Sequence, residues 1–256
     1  MTGPIPRVIA LSGKELAARA MVCLPLDGLD TMEAVRERVE ELSPFVGLFK
    51  IGKESFTRFG PTVVGAVHAS GGGVFLDLKY HDIPNTVRGA ARAATELGVA
   101  MFNVHASGGT AMMAAARQGV DEALSDAEVR PKIIAVTVLT SIDQEILNDE
   151  LRVPGSVEDQ VLHLAKRTEA AGLDGIVCSA ADLHALRGEL GEGFLFVTPG
   201  IKGTTTPAGE DQKRVLSPGR AVAAGSSLLV VGRAITGAPD RAQAAREVLQ
   251  DIVNVI

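Results

Sequence analysis

Short apolar runs recur along the chain at Met21–Leu26, Gly47–Ile51, Gly73–Leu78, Ala100–His105, Lys132–Leu139, Gly175–Ser179, Phe194–Thr198 and Ser227–Val231. Most do not alternate apolar with polar residues, which is the pattern of strands covered on both faces in a parallel sheet. Between them lie segments with helical periodicity. Thr31–Leu42 places Met32, Val35, Val39 and Leu42 near one face, with Asp30 as the expected N-cap. Asn85–Leu97 and Val157–Ala171 stop at Gly98 and Gly172, Gly109–Leu124 has similar character, and Asp240–Val253 follows Pro239. Eight strand–helix units in 256 residues predict a (β/α)8 TIM barrel. A doubly wound open sheet is the alternative, but no GxGxxG follows the first run. No linker divides the chain. The expected organisation is a single barrel domain over 21–256, preceded by an N-terminal extension over 1–20 with an extra helix at Ser12–Ala20.

Composition narrows the function classes. The net charge is −6 with no block of like charges, so a basic nucleic-acid-binding surface is not expected. No apolar run reaches the roughly 18 residues of a membrane span, and the N-terminus lacks the pattern of a secretory signal. Cys23 and Cys178 lie far apart in apolar runs, which excludes a disulfide scaffold and suits a reducing, cytoplasmic setting. No His, Asp and Glu spacing resembles a metal site.

In a barrel, chemistry sits where strands end. The first run ends at Asp27, the second reaches Lys50, and the third carries Asp77 and Lys79, followed by His81 and Asp82. Asp77 and Lys79 are two apart in a strand and project to one face. An acid and a base there either form a buried ion pair near the mouth or take part in chemistry. Convergence of Asp27 and Lys50 on the same cavity favours chemistry. Further polar groups at strand ends are Asn103, His105, Thr137, Thr140, Ser141, Thr198 and Lys202. Gly232-Arg233 after the eighth run suits a phosphate, although an ordinary turn with a solvated Arg reads the same way. The weakly patterned stretch Gly200–Val215 is a candidate lid. A Schiff-base lysine at position 50 or 79 is conceivable, but carboxylates at 77 and 82 favour the ammonium form of Lys79 and a proton-donor role.

The segment Phe75–Thr86, FLDLKYHDIPNT, closely resembles the signature of the orotidine 5′-phosphate decarboxylase family. Supporting matches are Gly47–Lys50, Asn103–Gly109, Val136–Ser141, Val197–Ile201, Gly209–Gln212 and Val231–Arg233; only the first twenty residues fall outside the resemblance. The resemblance implies a homodimeric barrel that decarboxylates orotidine 5′-monophosphate to uridine 5′-monophosphate with no metal or organic cofactor. The implied charged array is Lys50, Asp77, Lys79 and Asp82, with Asp82 and Thr86 reaching the partner's site. Asp27 and Lys50 would hold ribose hydroxyls, Thr140 and Ser141 the pyrimidine, and Gln212 and Arg233 the phosphate. Ile83, Pro199, Lys202 and Gly232 complete the implied substrate contacts. Two positions depart from the family pattern. Lys202 stands where the family commonly has Arg, and a lysine lacks the planar guanidinium fork. Pro25 interrupts the first strand, where it removes a ladder donor. The runner-up is a related Mg²⁺-dependent barrel decarboxylase acting on a keto-sugar phosphate, and a third class is a barrel that only binds nucleotides or a protein partner.

Overall fold

The computed structural model describes residues 11–124, 129–201 and 216–256. Eight parallel strands, β1 (Val22–Pro25), β2 (Leu48–Gly52), β3 (Gly73–Tyr80), β4 (Met101–His105), β5 (Lys132–Val136), β6 (Gly175–Val177), β7 (Leu195–Pro199) and β8 (Leu228–Val230), pair in sequence order. β8 pairs back onto β1, so the sheet closes into a (β/α)8 barrel, as expected. Every strand lies within or beside its expected run. The fifth is the most shortened, and just past its end the Thr137 hydroxyl (3.1 Å) joins the Thr137 N–H on the Val177 carbonyl. Pro25 is accommodated because β1 pairs with β8 only as far as Cys23 opposite Val230. Its missing N–H therefore falls beyond the shared ladder.

Side-chain alternation divides the core in two. Cys23, Phe75, Met101, Ile134, Val197 and Leu228 form a buried cluster that fills the barrel. Their strand neighbours Leu24, Phe49, Leu76 and Phe102 pack outward with the helices in the main cluster. Two residues beyond Leu48, Phe75 and Met101 along their own strands stand Lys50, Asp77 and Asn103, on the same inward face. The polar site is therefore built directly on an apolar plug.

Helix boundaries follow from capping. Ser12 and Ser156 each form a reciprocal capping box, with Glu15 and Asp159 respectively. Asp240 caps the last helix, Arg241–Val253. Thr31, not Asp30, caps Met32–Leu42: its hydroxyl accepts from Ala34 N at 3.2 Å, while Asp30 turns outward to Arg58 at 3.1 Å. Helix Gly13–Ala20 buries Ala18 in the main core, and Lys14 Nζ donates to the Ile256 carbonyl at 2.6 Å. Helices Pro84–Glu96 and Thr110–Ala123 pack closely because Gly119 leaves no side chain against the Arg88 backbone. The pair Lys53–Phe59 and Thr62–Ala69 was not individually anticipated. Gly60, in the left-handed region at φ 59°, and Pro61 break what would otherwise read as one segment.

Candidate active site

The carboxyl ends of β1 to β4 bring five polar side chains into one chain of contacts. Lys50 Nζ lies 2.9 Å from Asp27 Oδ2 and 3.1 Å from Asp77 Oδ2. Lys79 Nζ lies 2.6 Å from Asp77 Oδ1. Asn103 Nδ2 donates to the same Asp77 oxygen at 2.7 Å. Exposure grades along the array: the Asp77 and Lys50 side chains are 11% and 12% exposed, Lys79 is 26% exposed and Asp27 41%. The buried centre is thus a carboxylate between two ammonium groups, and of the two cations Lys79 is the more open to a ligand.

Charge balance keeps the centre ionised. Burial pushes the Asp77 carboxyl up, but Lys50, Lys79 and the Asn103 amide outweigh it and hold the group below its ordinary value. Burial likewise opposes the charge on Lys50, and Asp77 with Asp27 more than restores it, so its ammonium is held above the usual lysine value. His105, next along β4 on the inward face, carries the opposite signature. Burial, reinforced by His81, Lys53 and Lys79, depresses it to about 4. Its ring lies 5.5 Å from that of His81.

Local backbone makes this placement possible. Lys79 has φ 52°, in the left-handed region that a residue with a Cβ enters at a cost of about 1–2 kcal/mol. The β3–β4 register shifts at the same place: β3 advances from Leu76 to Tyr80 while β4 advances only from Phe102 to Val104. Ser55, buried at the start of the next helix, donates to the Leu26 carbonyl at 2.7 Å and fixes the loop that carries Asp27. Gly52 has ordinary extended backbone (φ −82°, ψ 177°), so glycine's conformational freedom is not what that position requires. A Cβ there would collide with Asp27 Oδ1 and lie 3.1 Å from Lys50 Nζ. Glycine at that strand end is the room the Lys50–Asp27 pair occupies.

Other expected site residues lie apart from the array. Asp82 is exposed and its Oδ1 accepts from Ile83 N at 2.7 Å, capping its own loop rather than pairing with Lys79 of the same chain. Ile83 is 66% exposed, and Thr86 lies exposed in the first turn of the following helix. Thr140 and Ser141 are exposed on the loop after β5. Pro199 ends β7, Gly232 follows β8, and Arg233 is exposed at the first position of a four-residue helix. Thr137 and Thr198 are buried and engaged by the scaffold, through Val177 O and the Ser226 hydroxyl respectively. Lys202, Gln212 and the expected lid up to Val215, Gly200 and Ile201 apart, lie outside the described residues. Among the described residues no group of three or more His, Cys, Asp or Glu is placed to hold a metal, and no helix is long and apolar enough to cross a membrane. Sequence reading noted Asn103 without giving it a task and passed over Gly52. A glycine two residues after the inward lysine of an apolar strand was the available signal for the latter.

A model of the orotidine 5′-phosphate decarboxylase / HUMPS family matches residues 20–248. A protein from Moorella thermoacetica named orotidine 5′-phosphate decarboxylase is 48% identical over 239 residues, covering 92% of this chain and 93% of its own. One of the same name from Nitrosococcus oceani is 51% identical over 220 residues, 85% of this chain and 91% of its own. The crystal structure of orotidine 5′-phosphate decarboxylase from Lactobacillus acidophilus matches with a TM-score of 0.80 at 37% identity, over 91% of this chain and 99% of that one.

Proposed function

This chain belongs to the orotidine 5′-phosphate decarboxylase / HUMPS family, and on that premise we propose that it is a carboxy-lyase converting orotidine 5′-monophosphate to uridine 5′-monophosphate and CO2. The observation that carries the reading is the Lys50–Asp77–Lys79 array at the barrel mouth, with Asp27 beside it.

Loss of CO2 from C6 of the pyrimidine leaves an electron pair in the ring plane, where the π-system cannot delocalise it. In this reading no cofactor or metal serves as electron sink, so the protein supplies the stabilisation electrostatically. Lys79, as ammonium, lies beside C6, faces the developing charge and then donates the proton that completes the product. Asp77 stands next to the departing carboxylate. Lys50 holds Asp77 from the far side and, with Asp27, binds ribose hydroxyls. One charge pair at ~4 Å contributes about 4 kcal/mol at an effective dielectric near 20. Enzymatic accelerations need roughly 8–23 kcal/mol. The remainder comes from binding energy at the phosphate, through Gln212 and Arg233 beside Gly232, with Thr140 and Ser141 against the base and Ile83, Pro199 and Lys202 as further substrate contacts.

The fourth charge comes from a second copy in this reading. Asp82 accepts from Ile83 N on an exposed loop that also presents Ile83 and Thr86. That arrangement supports a homodimer in which Asp82 and Thr86 enter the partner's site. The enzyme acts in the cytoplasm, on a small nucleotide, in pyrimidine synthesis.

Mixing the purified chain with orotidine 5′-monophosphate and following the pyrimidine absorbance tests the function. The expected result is rapid decay that EDTA leaves unchanged. Chelator-sensitive turnover of a keto-sugar phosphate, with orotidylate untouched, would establish the Mg²⁺-dependent alternative.

A further inference from the structure

Asn103 is the one uncharged side chain in the array, and both ends of its amide are engaged. Oδ1 accepts from the Lys79 backbone N–H at 2.8 Å, and Nδ2 donates to Asp77 Oδ1 at 2.7 Å. The residue is 1% exposed. Its orientation is fixed chemically, because an N–H can only meet the oxygen and a carboxylate only the NH2. The contact falls where the β3–β4 ladder is interrupted, between Leu76 and Tyr80. There the Lys79 N–H has left the regular sheet pattern, and Lys79 itself is in the left-handed region. A conformation of this kind persists only when its surroundings over-determine it.

We propose that Asn103 is a positioning residue that acts through Lys79 and Asp77. It holds the lysine backbone in its left-handed turn and locks the carboxylate that the ammonium faces, so the Lys79–Asp77 geometry is set before substrate arrives. The inference rests on the proposed decarboxylation for its catalytic consequence, though not for the clamp itself. Neither hydrogen bond could be supplied by an aliphatic side chain, and a hydroxyl on a shorter stem cannot reach both groups. A protonated carboxyl could: its O–H donates to Asp77 and its carbonyl accepts from Lys79 N.

That last property gives the test. Asn103→Ala is expected to lower kcat about a hundredfold, the scale of a small misplacement of reacting groups, with KM changed much less. Asn103→Asp places an ionisable group among Asp77 and Lys79 from β3, Lys50 from β2 and His105 from β4. At neutral pH two carboxylates share one site and activity is low. As pH falls and the new carboxyl takes up a proton, kcat is expected to recover toward that of the parent, whose own profile shows no such recovery over the same range. The gap in thermal midpoint between Asn103→Asp and the parent should narrow in parallel. A pH-independent deficit in both readouts would overturn the clamp, as would an Asn103→Ala variant with unchanged kcat. Failure of the parent chain to turn over orotidylate would refute the proposed function alone, and the narrowing or constancy of the thermal gap would still decide the clamp.

Discussion

Asp77 and Asp174 occupy opposite ends of this barrel with nearly the same ingredients. Each carboxylate lies between two cationic side chains and accepts a further hydrogen bond from a neutral N–H: Lys50, Lys79 and Asn103 for the first, Arg117, Lys132 and the Ile133 backbone for the second. Both are held below the ordinary carboxylate value against a burial penalty that acts in the opposite direction. The differences lie in what holds them and what is left over. At the amino-terminal end, Arg117 also donates to the Gly172 carbonyl at 3.0 Å, tying the entry of β6 to helix Thr110–Ala123. Its planar fork is consumed by the scaffold. At the carboxyl end the cations are lysines, compact charges on flexible stems. One of them, Lys79, stands on left-handed backbone with its side chain partly open to the mouth. Charge pairing alone therefore does not mark a site. Local backbone strain separates the mouth from the staple, whose own lysine, Lys132, is more exposed than Lys79.

The largest stability change should come from breaking the staple. Arg117→Ala leaves Asp174 with only Lys132 and the Ile133 N–H, and is expected to cost roughly 2–3 kcal/mol, a fall in thermal midpoint of several degrees. Turnover per folded molecule should stay within about twofold. A large loss of kcat in the folded variant would dissolve the distinction between the two ends.

A smaller effect, confined to the mouth, is expected of Gly52→Ala. The added methyl displaces Asp27 from Lys50, and KM for orotidylate should rise about tenfold, equivalent to about 1.4 kcal/mol, with the thermal midpoint nearly unchanged. An unaltered KM would show that Asp27 has another way to reach the lysine.

The subtlest contrast is in acid. His105 is depressed to about 4 in the folded chain and titrates near 6.5 when unfolded. Between those values the unfolded state binds more protons, so stability falls as pH falls through that window. Asp77 and Asp174, both depressed, contribute stability that is complete above the unfolded carboxylate value near 4 and lost only below it. Equilibrium unfolding across pH should therefore show the mouth weakening first. His105→Gln should flatten the upper part of the curve, and a curve unchanged by that substitution would contradict the assignment.

Much of the fold is legible in the sequence because parallel strands covered on both faces need uninterrupted apolar runs. Asp77 and Lys79 are legible for the converse reason, as charges set inside such a run. What is not legible depends on geometry that no residue type encodes. The left-handed turn falls at a lysine rather than a glycine, so nothing in the letters marks it, and the role of Asn103 depends on that turn. Gly52 reads as an ordinary helix entry until the position of Asp27 is known. Asp30 and Thr31 are adjacent capping residues that local pattern cannot rank; the pairing of Asp30 with Arg58, distant in sequence, leaves the cap to Thr31.

Turnover of orotidylate by Lys79→Ala, measured on protein whose thermal midpoint lies within a few degrees of the parent's, bears most directly on the claim that one ammonium stabilises and protonates the carbon left by CO2. The account predicts a loss of at least about a thousandfold in kcat. Turnover within tenfold of the parent would contradict it.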